Sequence, residues 1–140
     1  MNQSDIFMPV CALAALTFLV LLNVPIRRFA SAFRGQTNRN DYKFGESERV
    51  PGYVVLANRN LMNLLEMPLL FYVVTVCLFV TGGVTQTLMT LAWIFVGLRA
   101  AHSLVHLTFN NVLVRLSFYA ASNIVLASMW IAFFAGLRAS

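Results

Sequence analysis

Apolar residues form four long runs along the chain, separated by two short connections and one long polar connection. Each run has the ~20 residues that a helix needs to cross the hydrocarbon core of a bilayer. The pattern predicts helices over about residues 6–26, 52–80, 88–108 and 112–137, with the long polar connection over 27–51. Pro25 is expected to end or kink the first helix. Pro68 is expected to leave the carbonyl of Leu64 without its helical hydrogen bond and to bend the second helix. The chain is therefore expected to be an all-α integral membrane protein with a single four-helix transmembrane domain.

Composition supports the membrane class. Hydrophobic residues make up 59% of the 140 residues and charged residues 11%, which is far from the balance of a soluble globular domain. The four helices with their connections use nearly the whole chain, so no separate soluble domain is expected.

The basic residues are concentrated in one connection. Six lysines and arginines fall within residues 27–51, while the N-terminal tail and the connection between the second and third helices hold none. This asymmetry predicts that residues 27–51 are cytoplasmic and that both termini lie on the opposite side of the membrane. The net charge of +5 is thus explained by topology, and no nucleic-acid partner is expected.

Two sets of polar residues interrupt the second and third apolar runs. They are Arg59, Asn63 and Glu66 in the second, and Arg99, His102 and His106 in the third. Each set follows helical spacing and so shares one helix face. Ionisable groups at membrane depth are costly and normally face a bundle interior or a wet cavity. Together with Arg115, one turn into the fourth helix, they predict a polar site between helices at the cytoplasmic end.

Several cations and one carboxylate suit an anionic, polar ligand that carries an amine for Glu66 to meet. A metal site is the rival interpretation, because His102 and His106 have i, i+4 spacing, but three nearby arginines would repel a divalent cation, so no metal is expected. Buried Arg–Glu pairs can also serve only to lock helices together. Seven polar groups on three helices at one depth are more than locking requires.

These residues resemble the MAPEG family, the membrane-associated proteins in eicosanoid and glutathione metabolism, which includes microsomal glutathione transferases and a prostaglandin E synthase. The family's second helix carries Arg-x-x-x-Asn-x-x-Glu followed shortly by Pro, as do Arg59, Asn63, Glu66 and Pro68 here. Its next helices carry an arginine, a histidine three residues on, an aromatic hydroxyl four further and an arginine near the start of the last helix. Arg99, His102, His106 and Arg115 fall in those places.

The resemblance implies a homotrimer in a bacterial inner membrane that binds glutathione as cosubstrate between subunits. It implies that the tripeptide is held by Arg28, Arg59, Asn63, Glu66, Arg99, His102 and His106, with Arg27 as a second choice for the arginine of the first helix. Arg115 would face the sulfur and favour the thiolate, the reactive form. A lipophilic electrophile arriving through the lipid would then be conjugated or reduced, as by a transferase or peroxidase.

Two positions depart from the family pattern. His106 stands where active members have tyrosine, and Leu116 follows Arg115 where the prostaglandin synthase has serine. They motivate an alternative, in which the chain is a non-catalytic lipid-binding protein or an accessory subunit of a larger membrane complex.

Overall fold

The computed structural model describes residues 2–139 of the chain. Its long helices are α1 Phe7–Phe33, α2 Gly52–Leu65, α3 Pro68–Val80, α4 Gln86–Leu107 and α5 Val112–Ala139, with short 3-10 turns at Gln3–Ile6 and Arg39–Tyr42. Within residues 2–139, four helical stretches are long and apolar enough to cross a membrane, and α2 and α3 together form the second of them. The all-α membrane class expected from the sequence is confirmed.

Helix α1 is longer than predicted. The sequence places its end near Ile26 and starts the polar connection at Arg27, but the helix continues through Pro25 and two more turns to Phe33. It ends where Gly35 adopts a left-handed φ of +69° and the amide of Gln36 donates to the carbonyl of Ser31 at 3.0 Å, as in a Schellman motif. The polar connection is therefore residues 34–51.

That connection folds back on the end of α1, which explains the extra turns. The hydroxyls of Ser31 and Thr37 are hydrogen-bonded, and Arg28 pairs with Glu46 at 3.5 Å. Asp41 organises the connection itself by accepting from the Asn38 amide and the Ser47 hydroxyl, both at 2.8 Å. These two hydrogen bonds hold the pKa of Asp41 below its ordinary value. Such tertiary contacts carry no periodic signal, so the polar composition of the segment concealed the helical turns.

The second predicted helix is broken rather than bent. Helix α2 ends at Leu65, Glu66 has a non-helical ψ of −88°, and α3 begins at Pro68. Proline has no N–H to donate to the carbonyl of Leu64 and its ring clashes with that carbonyl, so the ladder stops there. The carbonyl of Asn63 also receives no backbone N–H from Met67, and in a membrane such a group must find another donor.

Helix α4 is the central element. It packs against α5, α2 and α1. Half of the residues in the most apolar stretch of α4 are buried inside the bundle, whereas 17% of those in the corresponding stretch of α5 are buried. A stacked pair, Phe71 and Phe95 with ring centroids 4.7 Å apart, joins α3 to α4 in the core. The side chains on α4 are consequently the ones most enclosed by the bundle.

Arg27 ties three helices together at one end of the bundle. Its Nε donates to Asn23 Oδ1 at 3.1 Å, and its two terminal nitrogens donate to the carbonyls of Tyr53 at 2.7 Å and Leu107 at 3.3 Å. The end of α1, the start of α2 and the end of α4 therefore meet at the same level.

Candidate functional site

Three ionisable side chains on α4 are buried inside the bundle. Arg99, His102 and His106 have exposed fractions of 0%, 2% and 1%. The two imidazole rings lie with centroids 5.7 Å apart, as their i, i+4 spacing requires. Among residues 2–139 there is no group of three His, Cys, Asp or Glu side chains suited to a metal ion.

Arg99 is held by the break between α2 and α3. Its terminal NH2 group donates to the carbonyl of Asn63, and its guanidinium lies 5.8 Å from the centroid of the Tyr119 ring. The acceptor is at the C-terminal end of α2, where the helix dipole favours a cation. Within the described chain no carboxylate forms a direct ion pair with Arg99, although Glu66 attracts its charge from a longer distance. Its Nε and NH1 atoms are buried without a hydrogen-bond partner.

Arg115 is positioned by the turn before α5. One of its terminal nitrogens donates to Asn110 Oδ1 at 2.8 Å and lies 3.3 Å from His106 Nε2. Asn110 has a φ of +46°, a left-handed conformation that asparagine tolerates better than most residues, and Asn111 caps α5 by accepting from the amide of Leu113. These two asparagines form the turn between α4 and α5, and the first of them also orients the arginine. Sequence reasoning assigned Asn110 no part in the site.

A cavity of about 210 Å³ lies where α2, α4 and α5 meet. Its lining consists of Asn63, His102, Val112, Arg115, Leu116 and Tyr119. Tyr119 was missed by the sequence reasoning, although its position four residues after Arg115 places it on the same face of α5. The Tyr119 ring lies 6.0 Å from that of His102. One wall of the cavity thus carries a fixed cation, and the others carry an amide, an imidazole and a phenol.

Two further predicted residues lie outside the cavity but within electrostatic reach of the buried side chains, Arg59 near His106 and Glu66 near Arg99. Arg59 and Glu66 are exposed on the outer surface and do not line this cavity. Because α2 ends at Leu65, Glu66 lies at the break rather than on the helical stripe. Asn63 lines the cavity, and its side-chain amide donates to the backbone carbonyl of Arg59, one turn earlier on α2, at 3.1 Å.

Arg28 lies on α1 and contacts the polar connection. Besides its ion pair with Glu46, its guanidinium lies 4.8 Å above the Tyr42 ring. Of the two adjacent arginines, Arg27 is the one that contacts α2 and α4 of the same chain.

Comparison with known proteins identifies the family of this bundle. No curated protein and no solved structure matches the chain. The model of the MAPEG family matches residues 6–135, which include all of the clustered polar residues. This match supports a membrane-bound, glutathione-related role of transferase or isomerase type in general. The chain belongs to the MAPEG family.

Proposed function

We propose that the protein is a membrane-bound glutathione-dependent transferase or peroxidase acting on lipophilic electrophiles. The observation that carries the proposal is the position of Arg115, which lines a polar cavity and is oriented by Asn110 and His106 rather than by a carboxylate. Its charge is therefore available to an anion in the cavity. A thiolate placed there gains electrostatic stabilisation, and the thiolate is the nucleophile that glutathione chemistry requires.

In this proposal the other polar residues hold the tripeptide. The carboxylates and peptide groups of glutathione are bound by Arg99, Arg59 and the imidazoles of His102 and His106. Asn63 binds its amides, and Glu66 binds its amine. The thiol proton leaves to solvent, and the sulfur electron pair forms a bond to the electrophilic atom as the leaving group departs. The protein contributes mainly by aligning the thiolate with a substrate that enters from the lipid.

We further propose that the complete site forms between subunits of a homotrimer. The cavity within one chain is smaller than the ~300–1,000 Å³ typical of small-ligand sites, so one chain supplies only part of the walls. Arg59 and Glu66, charged residues in a membrane-spanning stretch, are exposed on the outside of a single chain, where contact with lipid is costly. A neighbouring subunit would cover both, and Arg28 at the end of its α1 would then approach the site.

The proposed setting is a bacterial inner membrane with residues 34–51 on the cytoplasmic side and both termini on the other. The support is the concentration of lysine and arginine at one end of the bundle. Cytoplasmic glutathione would then reach the polar site directly.

The test is glutathione binding by the purified protein, measured by calorimetry together with the ultraviolet absorbance of the bound thiolate. We expect the wild type to bind and to show the thiolate signal, and Arg115→Ala to lose the signal. Arg138→Ala, which changes an arginine at the far end of α5, is the matched control and should behave as wild type. Absence of binding by the wild type, or a thiolate signal that survives Arg115→Ala, would refute the proposal.

The alternative is a non-catalytic lipid-binding protein or an accessory subunit of a larger membrane complex. It is favoured by His106, which contacts Arg115 where active relatives have tyrosine, and by Leu116, which gives the cavity an apolar wall. Stable co-purification with a partner complex, combined with no turnover of aryl halides or lipid hydroperoxides, would support it over the enzyme.

A further inference from the structure

A second cavity, a groove of about 440 Å³, runs between α1 and α4 on a different part of the bundle surface. Its lining includes Leu16, Val20 and Asn23 from α1, and Ala100, Ser103 and Leu104 from α4. It opens toward lipid, since Leu19 and Leu104 at its edges are 67% and 64% exposed. We refer to it as the α1–α4 groove.

The groove contains a hydroxyl without a partner. Ser103 is 2% exposed, and its Oγ makes no hydrogen bond within the described chain. Other serines in these helices bond to a carbonyl three or four residues earlier, as Ser122 does to Tyr119 at 2.8 Å. A buried hydroxyl that forgoes this bond remains costly until an acceptor reaches it.

A cation without a counter-charge lies beside one end of the groove, in contact with two of its lining residues. Arg27 donates to the side chain of Asn23 and the carbonyl of Leu107, both of which line the groove. All three of its acceptors are neutral, and no carboxylate of residues 2–139 lies within ion-pair distance of it. Its guanidinium has five N–H donors, of which three are used, so it can still bind an anion.

These groups are arranged along the membrane normal at depths that match one lipid. Ser103 lies four residues before Leu107 on α4, and the carbonyl of Leu107 accepts from Arg27. The free hydroxyl therefore lies about 6 Å along the helix axis from the level of the guanidinium, on the side away from the end of α4. From Arg27 to Leu16 the groove follows about 16 Å of helix, close to half of the ~30 Å hydrocarbon core. A phospholipid has an anionic phosphate, ester carbonyls a few ångströms deeper and then an acyl chain one leaflet long.

We propose that the α1–α4 groove binds an anionic phospholipid, with its phosphate at Arg27, an ester carbonyl accepting from Ser103, and an acyl chain along Val20 and Leu16. This lipid site is separate from the cavity at Arg115, which is lined by α2, α4 and α5. The bound lipid supplies the two interactions that the chain alone leaves unmade.

The experiment is native mass spectrometry of protein released from nanodiscs that contain equal amounts of phosphatidylglycerol and phosphatidylcholine, with oleate added in a second arm. Wild type should retain phosphatidylglycerol in preference to phosphatidylcholine and to oleate. Ser103→Ala should lower that retention about three- to tenfold, the effect of one lost hydrogen bond. Ala100→Phe, which fills the groove, should abolish it.

Ser122→Ala is the matched control, because it removes a buried hydroxyl that already has a partner, and it should leave retention unchanged. Equal retention of the two phospholipids would overturn the proposal, as would stronger retention of oleate. Retention unaffected by Ser103→Ala would overturn it as well, and this readout does not depend on Ala100→Phe folding. A second protein copy occupying the groove would show itself as lipid retention insensitive to headgroup charge. None of these measurements requires glutathione binding, so the result is independent of the proposed activity.

Discussion

Replacing Arg99 by methionine tests whether this arginine mainly binds a ligand or mainly stabilises the fold. Arg99 is fully buried in a membrane-spanning helix, and its described contacts are the Asn63 carbonyl and the Tyr119 ring. Keeping an arginine at membrane depth costs about 2.5–3.5 kcal/mol on the insertion scale. Against this, a hydrogen bond to a charged donor contributes about 1.5–3 kcal/mol and the contact with the ring about 0.5–1 kcal/mol. The opposing contributions nearly cancel.

We therefore expect Arg99→Met to change the free energy of unfolding by less than about 1.5 kcal/mol in the absence of ligand. A charge that pairs with a buried carboxylate would behave differently, because removing one partner of such a pair costs about 3–5 kcal/mol. The assay is reversible unfolding in mixed micelles with increasing dodecyl sulfate, followed by circular dichroism. Arg28→Met is the control, since breaking its partly exposed pair with Glu46 should cost no more than about 1 kcal/mol.

The same variant should respond differently to glutathione. Wild type is expected to unfold at higher denaturant when glutathione is present, since a ligand that binds only the folded state stabilises it. Arg99→Met should lose most of this increment while retaining its unliganded stability. A loss of more than about 3 kcal/mol without ligand would refute the reasoning and make Arg99 a structural residue.

Three further predictions follow from single contacts. Asn110→Gly keeps the left-handed turn but removes the hydrogen bond to Arg115, so it should weaken the thiolate absorbance of bound glutathione with little change in melting temperature. Asn110→Ala should weaken the absorbance and also lower the melting temperature, because a left-handed alanine costs about 1–2 kcal/mol. Tyr119→Phe keeps the ring contacts with its neighbours, so it should unfold as wild type does and alter only glutathione affinity, measured by calorimetry. The pKa of Asp41 is lowered by folding, so its contribution is complete above the ordinary carboxyl pKa and is lost as pH falls through the lower folded value. The protection factors of the amides of residues 38–47, which compare each exchange rate with the intrinsic rate at the same pH, should thus be constant from pH 7 to about 5 and fall only in stronger acid. Asp41→Asn should lower these protection factors between pH 7 and about 5, where the wild-type carboxylate is ionised.

The sequence alone determined the membrane class and the approximate positions of the four spans. Long apolar runs leave few alternatives, because a backbone in hydrocarbon must satisfy its own hydrogen bonds and a helix does so locally. It also placed Arg99, His102 and His106 on one helix face, since helical periodicity is a property of the chain itself. The buried positions of all three follow from that periodicity and from the cost of exposing them to lipid.

The tertiary structure decided which groups meet. Helix α1 passes through Pro25, and the polar connection packs against its end, where Arg28 pairs with Glu46. Arg99 binds a backbone carbonyl that becomes available only where Pro68 breaks the helix. Helical spacing specifies which side chains share a face, but not which backbone group or turn lies opposite that face. Those partners, and the unsatisfied Ser103 hydroxyl in the α1–α4 groove, depend on how the helices pack.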